Sequence, residues 1–196
     1  DVTTTPGIFI IFNRPDLAKR VFAEIRGAQP RQLYVIADGP RTDSTQDRTA
    51  CEGARATIQV DWECEVTLDY SEVNLGCQKR VQSGISKAFE RFGRAIILED
   101  DCLPHPSFFS FCEAMLERYE ATNKVMHICG SNFVRSDKFC DSYAFTQYAN
   151  PWGWATWRRA WQQIDLKMTD YFNQIETIES QIQISTKAFE KLNKRL

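Results

Sequence analysis

Apolar residues in the first two thirds of the chain form short uncharged runs, separated by stretches in which they recur at helical spacing. Runs with no charge to place on a solvated face are typical of strands buried on both sides. Within the third run, Val66, Leu68 and Tyr70 alternate with polar residues, which predicts a strand with one better-buried face. Five strands are predicted, at residues 7–12, 33–37, 64–70, 95–98 and 125–129.

Helices are predicted between these strands. Three of them begin at Pro15, after Gly76 and around Pro106, and each carries an apolar stripe at helical spacing. The stripe after Pro106 is rich in aromatic residues, which we interpret as core. Residues 41–59 are polar with only weak helical periodicity, and residues 171–196 predict one polar helix.

Alternating strands and helices indicate the fold class. Such alternation predicts right-handed β-α-β units and therefore an α/β protein, with a mostly parallel, Rossmann-like sheet flanked by helices. The sequence contains no internal repeat, low-complexity segment or linker-like stretch. We therefore predict a single domain over residues 1–196.

Charge, hydrophobicity and cysteine spacing restrict the classes of partner and the compartment expected for this protein. The chain has 196 residues, 43% of them hydrophobic, and a net charge of -2 without a basic face, so no nucleic-acid partner is expected. No apolar run approaches the ~20 residues of a membrane span, so no transmembrane segment is predicted, while peripheral membrane contact stays open. The seven cysteines include no CxxC pair, and we interpret most as reduced core residues of a cytoplasmic protein. A lumenal fragment without its anchor is the alternative.

Three adjacent acids end a short, unbroken apolar strand. Glu99, Asp100 and Asp101 directly follow residues 95–98. Adjacent carboxylates repel one another and are costly to bury unpaired, so a positive group is expected beside them. Hard oxygen ligands suit Mn²⁺ or Mg²⁺, and ligands bind at the carboxyl ends of strands in open α/β sheets. A solvated acidic turn is the alternative.

Polar or small residues end the other predicted strands as well. They comprise Asn13-Arg14, Asp38-Gly39 and Asn74-Leu75-Gly76, and together with the acids they should lie on one rim. This set offers a fork-shaped donor for a phosphate, a carboxylate for a base or ribose, and a metal site. A diphosphate bridged to the protein by a divalent cation fits every part.

These motifs resemble a known family. The runs FNRP, ADGP, NLG, IILEDD and PWGWATWRRAW are similar to those of bacterial glycosyltransferases with the GT-A, nucleotide-diphospho-sugar transferase fold. A more distant similarity is to the eukaryotic N-acetylglucosaminyltransferase I. The resemblance covers residues 7–161. We therefore expect a nucleotide-binding half over 7–102 and a donor and acceptor half over 103–165 within the domain. The predicted C-terminal helix over 171–196 lies beyond the resemblance.

The resemblance also implies residue roles. Asp101 would be the direct metal ligand within the Glu99-Asp100-Asp101 motif, with Glu99 beside it, and Asp100 would hold the ribose or a metal-bound water. Asp38 would accept a hydrogen bond from uracil. Trp152 would border the sugar. The remaining nucleotide or diphosphate contacts would be Phe12, Asn13, Arg14, Asn74, Gly76, Lys79 and Arg80.

Each role has a structural alternative. Asp38-Gly39-Pro40 is also ordinary turn chemistry, and Asn74 could cap a helix. Lys79 and Arg80 could be solvated. The tryptophans 154, 157 and 161 fall on one helical face and could be core. His105 and His127 have no partner pattern, and we interpret both as structural.

The predicted function is a metal-dependent, inverting glycosyltransferase of bacterial polysaccharide biosynthesis. It would move a hexose from a UDP-sugar to a hydroxyl on a glycan or lipid-linked acceptor. The catalytic base is not identified, since neither Asp165 nor Asp170 lies in the expected acidic and aromatic context; Asp137 and Asp141 are further candidates, and the chain could be C-terminally incomplete. A catalytically incomplete domain that binds a nucleotide-sugar or glycan is the alternative. A phosphoryl-transfer enzyme is disfavoured, because no GxxxxGK[ST] loop is present.

Overall fold

The computed structural model describes residues 2–132, 142–146 and 148–165. The chain divides into two compact units, 1–162 and 163–196, and all elements below belong to the first. The strands are β1 (Gly7–Ile11), β2 (Gln32–Ala37), β3 (Glu65–Tyr70), β4 (Arg94–Glu99), β5 (Ile128–Cys129) and β6 (Trp154–Trp157). The helices are α1 (Pro15–Ala28), α2 (Thr45–Ala56), α3 (Cys77–Arg91), α4 (Ser107–Arg118) and α5 (Arg158–Trp161). The predicted helix at 171–196 lies outside the described residues, and the single domain stays a prediction.

The six strands form one sheet in the order β3-β2-β1-β4-β6-β5. The first four strands are parallel, and β6 runs antiparallel to both β4 and β5. The predicted fold class, a mixed α/β protein with a mostly parallel sheet flanked by helices, is confirmed. Since β2, β1 and β4 are neighbours and parallel, their carboxyl ends open onto one rim.

Helices cover both faces of the sheet because side chains alternate along each strand. Phe9 and Leu98 pack with the buried residues of α1 and α4 in one core. On the other face α3 lies close to β2, and a Cβ on Gly84 would approach the Ile36 side chain to 2.7 Å. Glycine at this position therefore lets α3 pack closely against β2.

Strand β3 corrects one prediction. Val66 and Leu68 are 36% and 54% exposed, so the face that carries them is not the better-buried one. The reason is topological, because β3 is an edge strand that pairs only with β2 among the described residues. Tyr70, on the same face, is half-buried beneath the guanidinium of Arg55, 4.9 Å from the ring centroid.

The tryptophan segment corrects another prediction. Trp154 and Trp157 bound strand β6, and Trp161 ends the short helix α5, so the three do not share one helical face. All three are nevertheless buried, as expected for core residues. The segment forms a strand because β4 offers it a backbone partner, which helical spacing in the sequence cannot reveal.

Two element lengths also differ from prediction. The strand predicted at 125–129 is reduced to Ile128–Cys129, and the weakly periodic stretch at 41–59 contains the well-formed helix α2. In the described part of the chain, no helix is long and apolar enough to cross a membrane. Six cysteines, all except Cys140, are described, and all six are free thiols.

Candidate functional site

The strand ends meet as the sheet topology requires. The register pairs Ile11 with Ala37 and Ile10 with Glu99, so Phe12, Asp38 and Asp100 follow three adjacent strands at the same edge. The backbone N–H of Phe12 donates to Asp100 Oδ2 at 3.3 Å, which ties the loop after β1 to the end of β4. The rim predicted from the sequence therefore exists.

Arg14 bridges two of the three acids. Its Nη1 donates to Asp101 Oδ2 at 3.1 Å, and its Nη2 donates to Asp100 Oδ1. The side chains of Arg14 and Asp101 are 44% and 39% exposed, whereas that of Asp100 is only 2% exposed. Burial raises the pKa of Asp100, while the charge and hydrogen bonds of Arg14 act in the opposite direction. Arg14 is thus the positive group that the sequence predicted beside the acids.

Metal binding can be tested against this geometry. Among the described residues, no three His, Cys, Asp or Glu side chains converge as a ready-made metal site. Burial, followed by the charges of Asp101 and Asp100, raises the pKa of the half-buried Glu99. Mg²⁺-type cations are commonly held by one or two carboxylates together with substrate phosphates and water. Asp101 and Glu99 fit that pattern as oxygen donors, with Arg14 lying against Asp101.

Asp38 is buried and its acceptor positions are occupied. Oδ1 accepts from the N–H groups of Gly39 and Leu75, both at 2.9 Å. Oδ2 accepts from Gly76 N at 3.0 Å and from Asn74 Nδ2 at 3.2 Å. A carboxylate has about four acceptor sites, so this arrangement leaves no lone pair for a base. The contact of Asp38 with uracil stays a prediction.

The carboxylate of Asp38 joins two loops that touch. A Cβ on Gly39 would lie 2.5 Å from the backbone of Val73, so only glycine fits there. Gly76 has φ +80°, a backbone conformation that favours glycine. Asn74 makes no side-chain cap for α3 but donates to Gly39 O at 2.9 Å as well as to Asp38. Both glycines and Asn74 therefore shape this part of the rim.

Arg80 lies behind the rim rather than on it. It is buried, and its Nε donates to Ala37 O at 3.0 Å while its Nη1 donates to Asp69 Oδ2 at 3.2 Å. The solvated alternative for Arg80 is therefore wrong, whereas Lys79 is exposed. Arg80 ties α3 to the carboxyl ends of β2 and β3 and so supports the loops that Asp38 joins.

Sequence reasoning missed two residues at this edge, Asp47 and Arg41. Asp47 is buried; its Oδ1 accepts from Asn13 Nδ2 at 2.8 Å and from Arg41 Nη2 at 2.9 Å. The Arg41 hydrogen bond lowers the pKa of Asp47 to about 2. The Arg41 guanidinium lies 5.8 Å from the Phe12 ring centroid. Asp47 N donates to Ser44 Oγ at the start of α2, and this Ser-x-x-Asp spacing was the available signal.

An open cleft lies beside these residues. It has a volume of about 530 Å³ and is lined by Arg41, Thr42, Asp43, Ser44 and Asn74. Its walls are the loop before α2 and the loop before α3. Because Asn74 is held by Asp38 and Arg41 by Asp47, both walls are fixed by buried carboxylates.

Trp152 reaches the same rim from the antiparallel side. Strand β6 begins at Trp154, which pairs antiparallel with Ile97, so the residues just before it lie at the edge of the sheet where β4 ends. Ser131 Oγ donates to Trp152 O at 3.0 Å, which fixes the backbone there. The indole is 60% exposed, as a group that stacks on a sugar ring must be.

Within the described part of the chain, the two histidines contact residues other than the three acids. His127 stacks on Trp154 with 4.9 Å between ring centroids, and its Nε2 lies 2.8 Å from Asn150 O. His105 Nδ1 bonds Ser107 at the start of α4. Both contacts fit the predicted structural roles. Among the candidate bases only Asp165 is described; Asp137, Asp141 and Asp170 lie outside the described residues.

The chain has no match among family models or curated sequences and a weak similarity to a solved structure. Among solved structures, the chain is similar to the mannosyltransferase PcManGT from Pyrobaculum calidifontis, determined in complex with GDP-Man and Mn²⁺. The identity is 15% and the TM-score 0.42, over 65% of this chain and only 37% of the length of that protein. At that score no role is transferred from that protein to this chain.

Proposed function

We propose that this chain binds a nucleotide-diphospho-sugar and transfers its sugar to a hydroxyl acceptor. The observation that carries the proposal is the convergence of Phe12, Arg14, Asp100 and Asp101 on one rim, with the exposed Trp152 preceding β6 at the same edge of the sheet. A cationic fork, carboxylate oxygens and an exposed indole are the groups needed for a phosphate, a metal ion and a sugar ring. The motif resemblance to GT-A glycosyltransferases supports the same assignment.

The residues divide by chemistry. Asp101 and Glu99 would hold Mn²⁺, which stabilises the charge that develops on a leaving diphosphate. Asp100 keeps Arg14 and the Phe12 backbone in place, and Trp152 stacks on the transferred sugar. The finer assignments are a UDP-sugar donor, a glycan or lipid-linked acceptor, and inversion of configuration. Inversion needs a base for the acceptor hydroxyl proton, and that residue is not assigned.

A thermal-shift panel tests the proposal. UDP, GDP, CMP and dTDP, free and as their sugars, are each added with Mn²⁺ or with EDTA. A ligand at about 100 times its Kd stabilises the native state by about 2.7 kcal/mol, which raises Tm by roughly 5–10 °C. We expect such a rise for one nucleotide, only with Mn²⁺, and its loss in Asp101→Asn.

Asp61→Asn is the matched control, because Asp61 is also an exposed aspartate paired with an arginine, Arg26, away from the rim. This variant should keep the ligand-dependent shift. If no nucleotide raises the Tm of the unaltered protein, with or without Mn²⁺, the proposed function is wrong.

A catalytically incomplete donor-binding domain is the second candidate. It is favoured by the lack of an assigned base among the described residues. Hydrolysis or transfer of the bound nucleotide-sugar, measured as released nucleotide and lost in Asp101→Asn, would exclude it. Binding without turnover, across a panel of hydroxyl acceptors, would favour it.

A further inference from the structure

We propose that Arg14 and a divalent cation exchange on Asp101, and that this exchange couples metal binding to diphosphate binding. The inference rests on the proposed function and adds a specific role for Arg14. It starts from one contact pattern: a single guanidinium donates to two neighbouring carboxylates, Asp100 and Asp101.

The two contacts of Arg14 are unequal. Asp100 is almost fully buried and is also held by the Phe12 N–H, so losing Arg14 would leave a buried carboxylate with one partner among the residues that the structure describes. The pair with Asp101 joins two side chains that are each about 40% exposed. Exposed ion pairs contribute little, whereas breaking a buried pair is costly. The contact with Asp101 is therefore the one that can be released.

The Arg14 guanidinium and a divalent metal ion would compete for the same carboxylate oxygen of Asp101. Its Oδ2 lies 3.1 Å from Arg14 Nη1, and Asp101 is the most exposed of the three acids. A divalent cation that takes this oxygen must push the Nη1 group aside. In the absence of a nucleotide the displaced donor gains only water, so the metal alone should bind weakly.

A diphosphate changes this balance. A guanidinium is a planar, donor-only fork that suits phosphate oxygens. With Nη2 still on Asp100, Nη1 can pass from Asp101 to a phosphate oxygen, and Asp101 would then be free to hold the cation, which would supply positive charge for the diphosphate. The diphosphate then accepts the Arg14 hydrogen bond that the cation displaces from Asp101, and the cation replaces Arg14 as the positive partner of Asp101. By linkage, the nucleotide must raise Mn²⁺ affinity by the factor by which Mn²⁺ raises nucleotide affinity.

Titration of Mn²⁺ by electron paramagnetic resonance, which counts the free ion, tests this directly. In the unaltered protein we expect UDP or GDP to tighten Mn²⁺ binding at least about tenfold, the scale of one charge-assisted hydrogen bond. Arg14→Lys keeps a charge beside Asp100 but lacks the planar fork with which Arg14 reaches the two acids through separate nitrogens. Mn²⁺ alone should bind Arg14→Lys roughly three- to tenfold more tightly, and the coupling factor should shrink accordingly.

Arg20→Gln is the control, since it removes a positive charge from an exposed position of α1. It should leave Mn²⁺ affinity within about twofold, because Arg20 is exposed and the contacts of Asp100 and Asp101 with a guanidinium come from Arg14. Unchanged Mn²⁺ affinity and unchanged coupling in a folded Arg14→Lys would overturn the proposal. If that variant does not fold, the unaltered protein still tests the proposal. Equal Mn²⁺ affinity with and without bound nucleotide would overturn it. The comparison with Mn²⁺ alone needs no nucleotide, so its result is separate from a failure of the proposed function.

Discussion

Replacing Asp38 by asparagine distinguishes a structural carboxylate from a base-reading one. The substitution keeps size and shape and exchanges one oxygen for an NH₂ group. In the structure Oδ1 faces two N–H donors, and Oδ2 faces Gly76 N–H and the Asn74 amide. Whichever way the new amide turns, its NH₂ group meets two donors.

The cost follows from these contacts. Asn74 can turn its amide to accept, but it then loses its bond to Gly39 O. At least one N–H that is partly or fully buried is left unpaired, which costs about 1–3 kcal/mol, and charge-assisted bonds are weakened as well. We therefore expect Asp38→Asn to lower the free energy of unfolding by about 2–4 kcal/mol.

Urea unfolding at pH 7, followed by circular dichroism, measures this difference. The matched control is Asp43→Asn at the same cleft, since the Asp43 side chain makes no hydrogen bond or ion pair with the described part of the chain. That control should change stability by less than about 0.5 kcal/mol.

The opposite result would refute the reasoning. If Asp38→Asn is as stable as the unaltered protein but binds the nucleotide much more weakly, the carboxylate turns towards a base in solution. The four internal hydrogen bonds would then not describe its main state, and the role implied by the family resemblance would hold.

Two further predictions concern parts of the fold away from the rim. Glu113 Oε1 accepts from the backbone N–H and the hydroxyl of both Thr4 and Thr5, at 2.6–3.2 Å. Glu113→Ala leaves the buried Thr5 donors unpaired and should cost about 1–3 kcal/mol in urea unfolding. Burial holds the pKa of His127 below its ordinary 6.5, so the unfolded chain binds more protons there. Stability that His127 contributes is complete above pH 6.5 and is lost as the pH falls, and His127→Gln should flatten the unfolding free energy between pH 7.5 and 5.5.

Controls for these two predictions are available in the chain. Glu117→Gln, at an exposed position of the same helix, should leave stability unchanged, and a similar loss there would contradict the role of Glu113. His105 is the only other histidine. An unaltered pH dependence in His127→Gln, or the same flattening in His105→Gln, would show that burial of His127 is not the cause.

Much of the fold could be predicted because its signals are local. Uncharged apolar runs predicted β1, β2 and β4. Because the three acids directly follow β4 in sequence, they must lie at the edge of the sheet where that strand ends. Parallel order then placed Asn13, Asp38 and Asp100 at one edge. The segment 154–157 was predicted wrongly, since its strand depends on pairing with β5 and with β4, which lies about 60 residues earlier in the chain. Likewise β3 became exposed because of its place at the edge, which hydrophobic alternation cannot report.

The details of the site depended on contacts between residues far apart in the chain. The hydrogen bonds of Asp38 reach residues 36 to 38 positions away, and the Arg14–Asp101 bond spans 87. Local sequence showed that a carboxylate and a cation would be present at the rim. How the loops pack decides which carboxylate oxygen each donor contacts. As a result, internal hydrogen bonds occupy all acceptor positions of Asp38, whereas Asp101 accepts from Arg14 and is still exposed. The sequence determines the chemical type of each side chain. The tertiary structure decides which of its acceptor positions are already occupied by internal hydrogen bonds and which can bind a ligand.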